Sequence, residues 1–205
     1  MMNTASSTRT TDSNKILAQL SAEARMAYAF EHFHAGFALT SSFGAQSAVC
    51  LHLATQVMPE IPVIVIDTGY LFPETYQFID SLTERLNLNL QVIQNPTSPA
   101  WFEARHGQLW EQGIQGIEQY NNLRKTAPLE QALAALNIQT WFSGIRRDQS
   151  NTRAKKDFVE VKNGRHKVHP ILDWTDRSVY LYLKKHDLPY HPLWQQGYLS
   201  IGDTH

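Results

Sequence analysis

The sequence is poor in cysteine, in long apolar runs and in net charge, and each shortage excludes a class of protein. Its 205 residues contain one cysteine, Cys50, so the chain forms no internal disulfide and cannot supply the thiolates of an iron–sulfur cluster or a cysteine-rich zinc site. No stretch approaches the about eighteen apolar residues that a membrane span needs. The formal net charge is −1, which argues against nucleic acid or an anionic membrane as a partner. We therefore expect a protein of the reducing cytoplasm.

The chain does contain enough apolar sequence for one globular domain. Hydrophobic residues make up 42% of it and charged residues 18%, which is typical of a soluble α/β protein. Residues 1–13 are rich in Ser and Thr and lack an apolar stretch, so we expect a disordered tail rather than a secretory signal. The expected organisation is this tail followed by a single α/β domain over residues 14–205.

Hydrophobic patterns predict a mainly parallel sheet with helices between its strands. Residues 63–66 (Val-Ile-Val-Ile) form a β-branched block without polar alternation, which is typical of a strand buried on both faces. Further strands are predicted at 37–40, 88–93 and 140–143, and helices over 15–33, 45–57, 73–86 and 175–185. The Asn163-Gly164 pair predicts a hairpin between 158–161 and 166–168. Alternating strands and helices imply right-handed βαβ units and an open parallel sheet.

Three polar segments follow predicted strands, at the edge where open parallel sheets bind ligands. Ser41-Ser42-Phe43-Gly44 precedes a helix, where backbone N–H groups and hydroxyls can hold an anion, although the two serines could equally be helix caps. Asp67-Thr68-Gly69-Tyr70 places a carboxylate at a strand end, where it can bind a ribose or a base, or form a turn with its own backbone. The third segment, 144–153, begins with Gly144.

The segment 144–169 is strongly basic although the whole chain is not. It holds eight of the 18 Lys and Arg residues against three acidic residues, so it carries +5 while the remaining residues carry −6. Arg146 and Arg147 follow a predicted strand directly, and the arginine fork pairs phosphate or sulfate oxygens bidentately. The pattern predicts a cationic lobe for a ligand with several anionic groups; the plain alternative is a solvated hairpin.

Several residues carry no chemistry when taken singly. Cys50 shares a helix face with Leu53 and Val57, which predicts an inert thiol in the core. Lys125 alone is a surface lysine. His32 and His34 lack carboxylate or thiol neighbours in the sequence, so we predict no metal site there.

Together, five motifs resemble the assimilatory phosphoadenylyl-sulfate (PAPS) reductase family, over about residues 17–205. In order they are Ser41-Ser42-Phe43-Gly44, Asp67-Thr68-Gly69-Tyr70-Leu71-Phe72-Pro73-Glu74-Thr75-Tyr76, Gly144-Ile145-Arg146-Arg147-Asp148-Gln149-Ser150, His191-Pro192-Leu193-Trp194 and Gly197-Tyr198-Leu199-Ser200-Ile201-Gly202-Asp203-Thr204-His205. The resemblance implies a Rossmann-like open parallel sheet of the adenine nucleotide α-hydrolase (ATP pyrophosphatase-like) type with flanking helices. It also implies reduction of PAPS to sulfite and adenosine 3′,5′-bisphosphate in assimilatory sulfate reduction.

The same resemblance assigns roles to individual residues. The implied phosphate-binding residues are Ser41, Ser42, Phe43 and Gly44, and the implied adenosine-binding residues are Ile66, Asp67, Thr68, Gly69 and Gly144. Lys125 and Arg153 would face the phosphosulfate as supporting catalytic residues. Arg146 and Arg147 would lie in the basic loop nearby.

The resemblance also implies the cofactor and the partners. Relatives that use adenylyl sulfate hold an iron–sulfur cluster on a Cys-Cys pair and a Cys-x-x-Cys pair, and this chain has Asn121-Asn122 and Asp203 at the corresponding places. We therefore expect the cluster-free branch, with no metal and no bound cofactor. Thioredoxin (or glutaredoxin) would supply the electrons, and family members are often homodimers.

One departure from the family concerns the nucleophile, a cysteine in a Glu-Cys-Gly-Leu-His motif some tens of residues after Gly-Asp-Thr-His. The sequence stops at His205, so we expect a truncated chain that binds nucleotide but is inactive. Two alternatives stay open: a non-catalytic adenine-nucleotide-binding module and an adenylyl-sulfate-using relative. A third, a sulfate adenylyltransferase subunit, has a Ser-Gly-Gly-x-Asp-Ser loop from which Gln46-Ser47 departs.

Overall fold

A six-stranded sheet forms the centre of the computed structural model, which describes residues 3–198 and 200–205. Its strands are β1 (Phe37–Thr40), β2 (Pro62–Asp67), β3 (Asn89–Gln94), β4 (Thr140–Ser143), β5 (Val159–Lys162) and β6 (Arg165–Val168). They lie in the order β3-β2-β1-β4-β6-β5. Every neighbouring pair is parallel except β5 and β6, which are antiparallel. The predicted α/β class with a mainly parallel sheet is confirmed.

Helices flank the sheet. They are α1 (Asn3–Leu17), α2 (Ala22–His32), α3 (Ala48–Val57), α4 (Pro73–Leu86), α5 (Pro99–His106), α6 (Gly113–Asn121), α7 (Ala127–Ala135) and α8 (Asp176–Lys185). A π-helical turn, Asn122–Thr126, joins α6 to α7. Within the described ranges, no helix has the length and apolar character needed to cross a membrane.

The amino-terminal region differs from the expectation of a disordered tail over 1–13. From Asn3 the chain is part of α1, while Met1 and Met2 lie outside the described residues. Tertiary contacts hold the carboxyl end of α1: Leu17 is fully buried, and the Asn14 side-chain amide exchanges two hydrogen bonds of 2.9 Å with the backbone of Val159 in β5. Composition alone does not reveal such contacts.

The predicted helix over 15–33 is divided in two. Ser21 caps α2, since its Oγ accepts a hydrogen bond of 3.2 Å from the Ala24 amide. The predicted hairpin is confirmed, with Asn163 at φ +51° and Gly164 at φ +78° in the turn between β5 and β6. Two successive positive φ values are those of the tight hairpin turn that Asn-Gly favours.

The sheet is covered on both faces. In β2, Val63 and Val65 belong to the large core formed with α2, α3, α4 and α8, whereas Ile64 packs with Leu133 of α7 and Trp141 of β4. This explains why the β2 sequence lacks polar alternation. The chain runs from β1 outward through β2 to β3, and then returns to β4 on the other side of β1. The carboxyl ends of β1 and β4 therefore form a topological switch point, where folds of this kind bind ligands.

Candidate functional site

The loop after β1 is built as a tight turn that leads into α3. Ser41 donates its amide to the Ile64 carbonyl (3.0 Å), and its hydroxyl accepts from the Phe43 amide (3.1 Å). Phe43 is fully buried and has φ +49°, while Ser42 is exposed. Beyond Gly44, the Ser47 hydroxyl at the start of α3 is buried and has no hydrogen-bond partner in the described part of the chain. The sequence-based prediction omits Ser47.

The loop after β2 brings Asp67, Thr68 and Gly69 to the same edge of the sheet. The Asp67 carboxylate accepts hydrogen bonds from the Gly69 amide (2.8 Å) and the Tyr76 hydroxyl (2.7 Å), so it does form the turn with its own backbone. Burial, followed by the hydrogen bond to Asp67, raises the pKa of Tyr76 to about 12. Ile66 lies inside β2, paired in register with Ile93.

Gly69 sits where a side chain does not fit. Its φ is +77°, and a Cβ atom added there would lie 2.8 Å from Cγ of Pro99 and 3.2 Å from Nη2 of Arg124. The Arg124 guanidinium is buried beneath this loop, where it donates to the carbonyls of Thr68 and Thr97. The buried Arg124 guanidinium thus holds the loop after β2 in its shape.

Asp203 is the carboxylate around which the site is organised. Its side chain is 3% exposed and accepts hydrogen bonds from Thr68 Oγ1 (2.5 Å), Tyr120 Oη (2.7 Å) and Lys125 Nζ (2.8 Å). Burial acts to raise the pKa of Asp203, but hydrogen bonds from Lys125 and Thr68 outweigh it and hold that pKa below its usual range. The predicted residues Lys125 and Thr68 are therefore brought together by a residue that the site prediction omits. The Gly-Asp-Thr-His motif was the signal that could have found it.

The segment 200–205 is anchored against the loop after β2. Asp203 forms an antiparallel bridge with Leu71, and the Thr204 amide donates to the Tyr70 carbonyl over 2.8 Å. The ring of His205 stacks on Trp110 with centroids 3.8 Å apart. A Cβ atom on Gly44 would lie 3.5 Å from the Ile201 carbonyl, so this segment also reaches the loop after β1.

Gly144 and Arg146 join the end of β4 to its neighbours. A Cβ atom at Gly144 would lie 3.0 Å from Cβ of Cys50 in α3, which shows how closely this helix packs on the strand end. Arg146 is buried and donates to Asp176 (2.7 Å), Gln46 (2.6 Å) and the Trp174 carbonyl (3.1 Å). Its guanidinium thus ties the residues before α3 to the start of α8.

The other two predicted arginines lie in the following loop. Arg147 donates from Nε (3.1 Å) and Nη2 (2.8 Å) to the Lys156 carbonyl and lies over the Phe158 ring. Arg153 donates to the side chain of Gln149 in the same loop and is half-buried. The structure brings Lys125 and Thr68 into one hydrogen-bonded cluster with Asp203, whereas the side-chain hydrogen bonds of Arg147 and Arg153 stay within the 146–158 region.

The prediction of one cationic lobe over 144–169 is wrong. Because β6 runs parallel to β4, Arg165 at its start lies at the opposite edge of the sheet from Arg146, and it is paired there with Glu130 at 3.3 Å. Lys162 pairs in register with Arg165 at that same edge. The basic residues of the segment are therefore divided between the two edges of the sheet.

Two minor predictions concern Cys50 and the histidines. Cys50 is buried, and burial raises the pKa of its thiol to about 12, as expected of a core cysteine. The rings of His34 and His166 lie 5.8 Å apart. Among the residues that the structure describes, no group of three or more His, Cys, Asp or Glu side chains is arranged to hold a metal ion.

Comparison with known proteins gives consistent matches. A family model described as phosphoadenosine phosphosulfate reductase domain matches residues 36–205. A phosphoadenosine 5′-phosphosulfate reductase from Cronobacter sakazakii is 60% identical over 194 residues, which are 95% of this chain and 80% of the relative. One from Xanthomonas campestris pv. campestris is 62% identical over 192 residues, which are 94% of this chain and 80% of that relative.

Solved structures extend the likeness to three dimensions. The crystal structure of phosphoadenylyl-sulfate (PAPS) reductase from Candida auris, in a phosphate complex, is 28% identical with a TM-score of 0.80 and covers 94% of this chain and 92% of that one. An FMN adenylyltransferase from Candida glabrata, at 14% identity, has a TM-score of 0.65 over 98% of this chain and 64% of its own; this likeness concerns the fold alone. The Rossmann-like, ATP pyrophosphatase-like fold class is confirmed.

Proposed function

The chain belongs to the phosphoadenosine phosphosulfate reductase domain family, and we propose that it binds PAPS for reduction to sulfite and adenosine 3′,5′-bisphosphate in assimilatory sulfate reduction. One observation carries the proposal beyond the family match. The cluster of Thr68, Lys125 and Asp203 places a lysine ammonium at the carboxyl edge of the sheet, where the adenosine-binding loop ends.

The phosphate groups would bind at the loop after β1. The buried Ser47 hydroxyl supports this placement, since a buried hydroxyl without a partner favours a ligand that supplies a hydrogen bond. It stands at the start of α3, where backbone N–H groups and the helix dipole also attract an anion. Ser41 and Phe43 would shape the loop rather than contact the ligand by side chain, because the Ser41 hydroxyl accepts from the Phe43 amide and the Phe43 ring is fully buried.

The adenosine would bind between the loop after β2 and Gly144. Asp67 and Gly69 present backbone and carboxylate groups there, and the second carboxylate oxygen of Asp67 has only a long contact of 3.4 Å from Gln94. Gly144 would contribute its backbone, since the place of its missing Cβ faces Cys50 of α3. Arg146 would act by holding Gln46 and Asp176 in place, since both of its terminal nitrogens already donate to protein acceptors.

The reaction would proceed by covalent catalysis. A cysteine thiolate attacks the sulfonate sulfur, the bond from sulfur to the bridging oxygen breaks, and adenosine 3′,5′-bisphosphate leaves. A thiolate of reduced thioredoxin (or glutaredoxin) then attacks the sulfur of that cysteine, forming a mixed disulfide and releasing sulfite. The partner's second thiol resolves this disulfide, so the two electrons come from the partner dithiol. No resident metal or bound cofactor takes part.

Lys125 and Arg153 would stabilise the negative charge that develops on the bridging and sulfonate oxygens. Lys125 suits this role because its side chain is 42% exposed, so the ammonium is accessible at the edge of the site. Arg153 would reach the substrate from the loop after β4, after exchanging its hydrogen bond to Gln149 for the anion.

The nucleophile would be a cysteine outside these 205 residues, in a Glu-Cys-Gly-Leu-His motif. Cys50 is unsuited to the role because it is buried and its thiol has a raised pKa. The matches cover 80% of each relative, which leaves room for such a motif. The chain as given would bind nucleotide without turnover. We further propose that the protein works in the cytoplasm, as a homodimer.

Calorimetric titration tests the nucleotide site directly. The chain is titrated with adenosine 3′,5′-bisphosphate and, separately, with AMP, at two salt concentrations. We expect the bisphosphate to bind more tightly than AMP, and salt to weaken it, because the additional 3′-phosphate carries charge. Equal binding of both would instead favour an adenylyl-sulfate-using relative. Failure of both to bind would contradict the proposed function.

A turnover assay tests the location of the nucleophile. The chain is incubated with PAPS and reduced thioredoxin, and sulfite is measured. We expect no sulfite above the level without protein. Catalytic release of sulfite would show that these 205 residues suffice and would overturn the proposal of an external cysteine.

A further inference from the structure

Asp203 connects three separate elements through one buried carboxylate. Oδ1 accepts from Thr68 at the end of β2, while Oδ2 accepts from Tyr120 in α6 and from Lys125 in the π-helical turn. The Lys125 ammonium lies 5.4 Å from the Tyr120 ring centroid, so the aromatic ring confines it on a second side. Removal of this carboxylate would free the lysine from its anchor.

The geometry leaves Lys125 with donors to spare. An ammonium has three N–H groups, and Asp203 takes one of them. The lysine side chain is 42% exposed whereas that of Asp203 is 3% exposed, so the ion pair has a buried end and an open end. The remaining N–H groups of Lys125 are therefore available on the solvent side. The ion pair with the buried Asp203 fixes the direction of the otherwise flexible lysine side chain.

We propose that Asp203 is a positioning residue, which holds the Lys125 ammonium at the carboxyl edge of the sheet and directs its remaining N–H groups to the sulfonate end of the substrate. This inference rests on the proposed function. Asp203 itself need not touch the substrate, since its oxygens already accept three hydrogen bonds. Its effect passes through Lys125.

Positioning and simple electrostatics predict opposite results for Asp203→Asn. The substitution removes one negative charge beside a site for a polyanion, so Coulomb attraction alone would tighten nucleotide binding. If Asp203 acts by orienting Lys125, the same substitution weakens binding of PAPS. The weakening should be much smaller for adenosine 3′,5′-bisphosphate, which lacks the sulfonate. Whether Asp203→Asn raises or lowers the affinity, and whether the effect requires the sulfonate, therefore decides between positioning and simple electrostatics.

The test is a double-mutant cycle measured by calorimetry without a thiol reductant. Wild type, Asp203→Asn, Lys125→Met and the double variant are titrated with PAPS and with adenosine 3′,5′-bisphosphate. We expect Asp203→Asn to weaken PAPS about tenfold and the bisphosphate less than about twofold. In the Lys125→Met background, Asp203→Asn should change the PAPS affinity by less than about twofold, because the residue through which it acts is gone.

Two further variants keep the test independent of folding. Tyr120→Phe removes one donor to Asp203 and keeps its charge; we expect a smaller weakening of PAPS than with Asp203→Asn. Glu130→Gln is the matched control, because it removes a partly buried carboxylate paired with Arg165 at the opposite edge of the sheet. It should leave both affinities within about twofold of wild type. Thermal melting of each variant identifies any that fails to fold.

The outcomes separate this inference from the proposed function. If wild type binds neither nucleotide, the proposed function fails and the inference with it. If wild type binds both but Asp203→Asn tightens PAPS or leaves it unchanged, the proposed function stands and the inference is overturned. Equal weakening by Asp203→Asn in the presence and absence of Lys125 would also overturn it, since the effect would then not pass through the lysine.

Discussion

The guanidinium of Arg124 donates from Nε to the backbone carbonyl of Thr68 over 3.1 Å. It also donates to the Thr97 carbonyl (2.6 Å) and lies 5.0 Å from the Phe102 ring centroid. A buried cation thus supports the loop after β2 by filling carbonyl acceptors that would otherwise be unpaired. The residue next to it in sequence, Lys125, has its ammonium at the surface of the site.

We expect Arg124→Met to lower the free energy of unfolding by about 3 kcal/mol, because it leaves the buried Thr68 carbonyl and the partly buried Thr97 carbonyl without this donor. Urea denaturation followed by tryptophan fluorescence measures the loss. Arg105→Met is the matched control: Arg105 is exposed and lies 4.4 Å above the Trp101 ring, so its loss should cost less than about 1 kcal/mol. Similar losses for both would contradict the supporting role of Arg124.

Gly69 and Gly164 have nearly the same positive φ but differ in packing. Both glycines have positive φ, +77° and +78°, so alanine costs about 1 kcal/mol at either position through backbone strain. At Gly69 the new Cβ would also lie 2.8 Å from Pro99, whereas nothing lies within 4 Å at Gly164. We expect Gly69→Ala to destabilise by at least about 1 kcal/mol more than Gly164→Ala in urea denaturation. Equal destabilisation would show that the loop moves aside freely.

His169 should contribute to unfolding in acid. Burial lowers the pKa of this fully buried imidazole to about 4, against the opposing hydrogen bond to Glu160. Between about pH 6.5 and pH 4 the unfolded chain binds a proton here that the folded chain does not, so stability falls as the pH falls. The loss from this group reaches about 3 kcal/mol.

His169→Gln checks that prediction, because glutamine does not titrate. We expect the free energy of unfolding of the variant to depend less steeply on pH across this window. The slope measures the number of protons taken up on unfolding, and that number should fall by up to about one. Urea denaturation at a series of pH values gives both slopes. Identical slopes would mean that His169 is not the titrating group.

Cys50 should be unreactive in the folded protein. The thiolate is the reactive form, and with a pKa of about 12 only about one thiol in ten thousand is ionised at pH 8. Ellman's reagent should therefore label no thiol in native protein and one thiol in concentrated urea. Rapid labelling of the native chain would show that α3 opens from Gly144, against which Cys50 packs.

Local patterns predicted those parts of the fold that depend on local sequence. The apolar block of β2 and the Asn163-Gly164 turn were both placed correctly, because burial on two faces and positive φ leave direct marks in the sequence. Arg146 shows the limit of such patterns. A basic residue after a strand suggests an anion site, yet its guanidinium is occupied by Asp176 and Gln46, which come from other elements.

The part of the site that sequence analysis missed depends on contacts between distant residues. Nothing near Lys125 in the sequence indicates that its partner is Asp203, since the two meet only when α6 and the segment 200–205 fold against β2. The division of the basic segment has a similar cause: the direction of β6 carries Arg165 to the far edge. Spacing along the chain shows neither the ion pair of Lys125 with Asp203 nor the position of Arg165 at the far edge.

The bond between Thr68 and Asp203 joins residues 135 positions apart. Closing a loop of that length carries an entropic cost that grows with the logarithm of its length, and contacts between such distant positions form only after the intervening chain has become compact. Local units such as the β5–β6 hairpin can form early in folding, whereas we expect the contact of Asp203 with the β2 loop to form late. A partly folded chain could therefore hold most of its sheet and still lack an oriented Lys125.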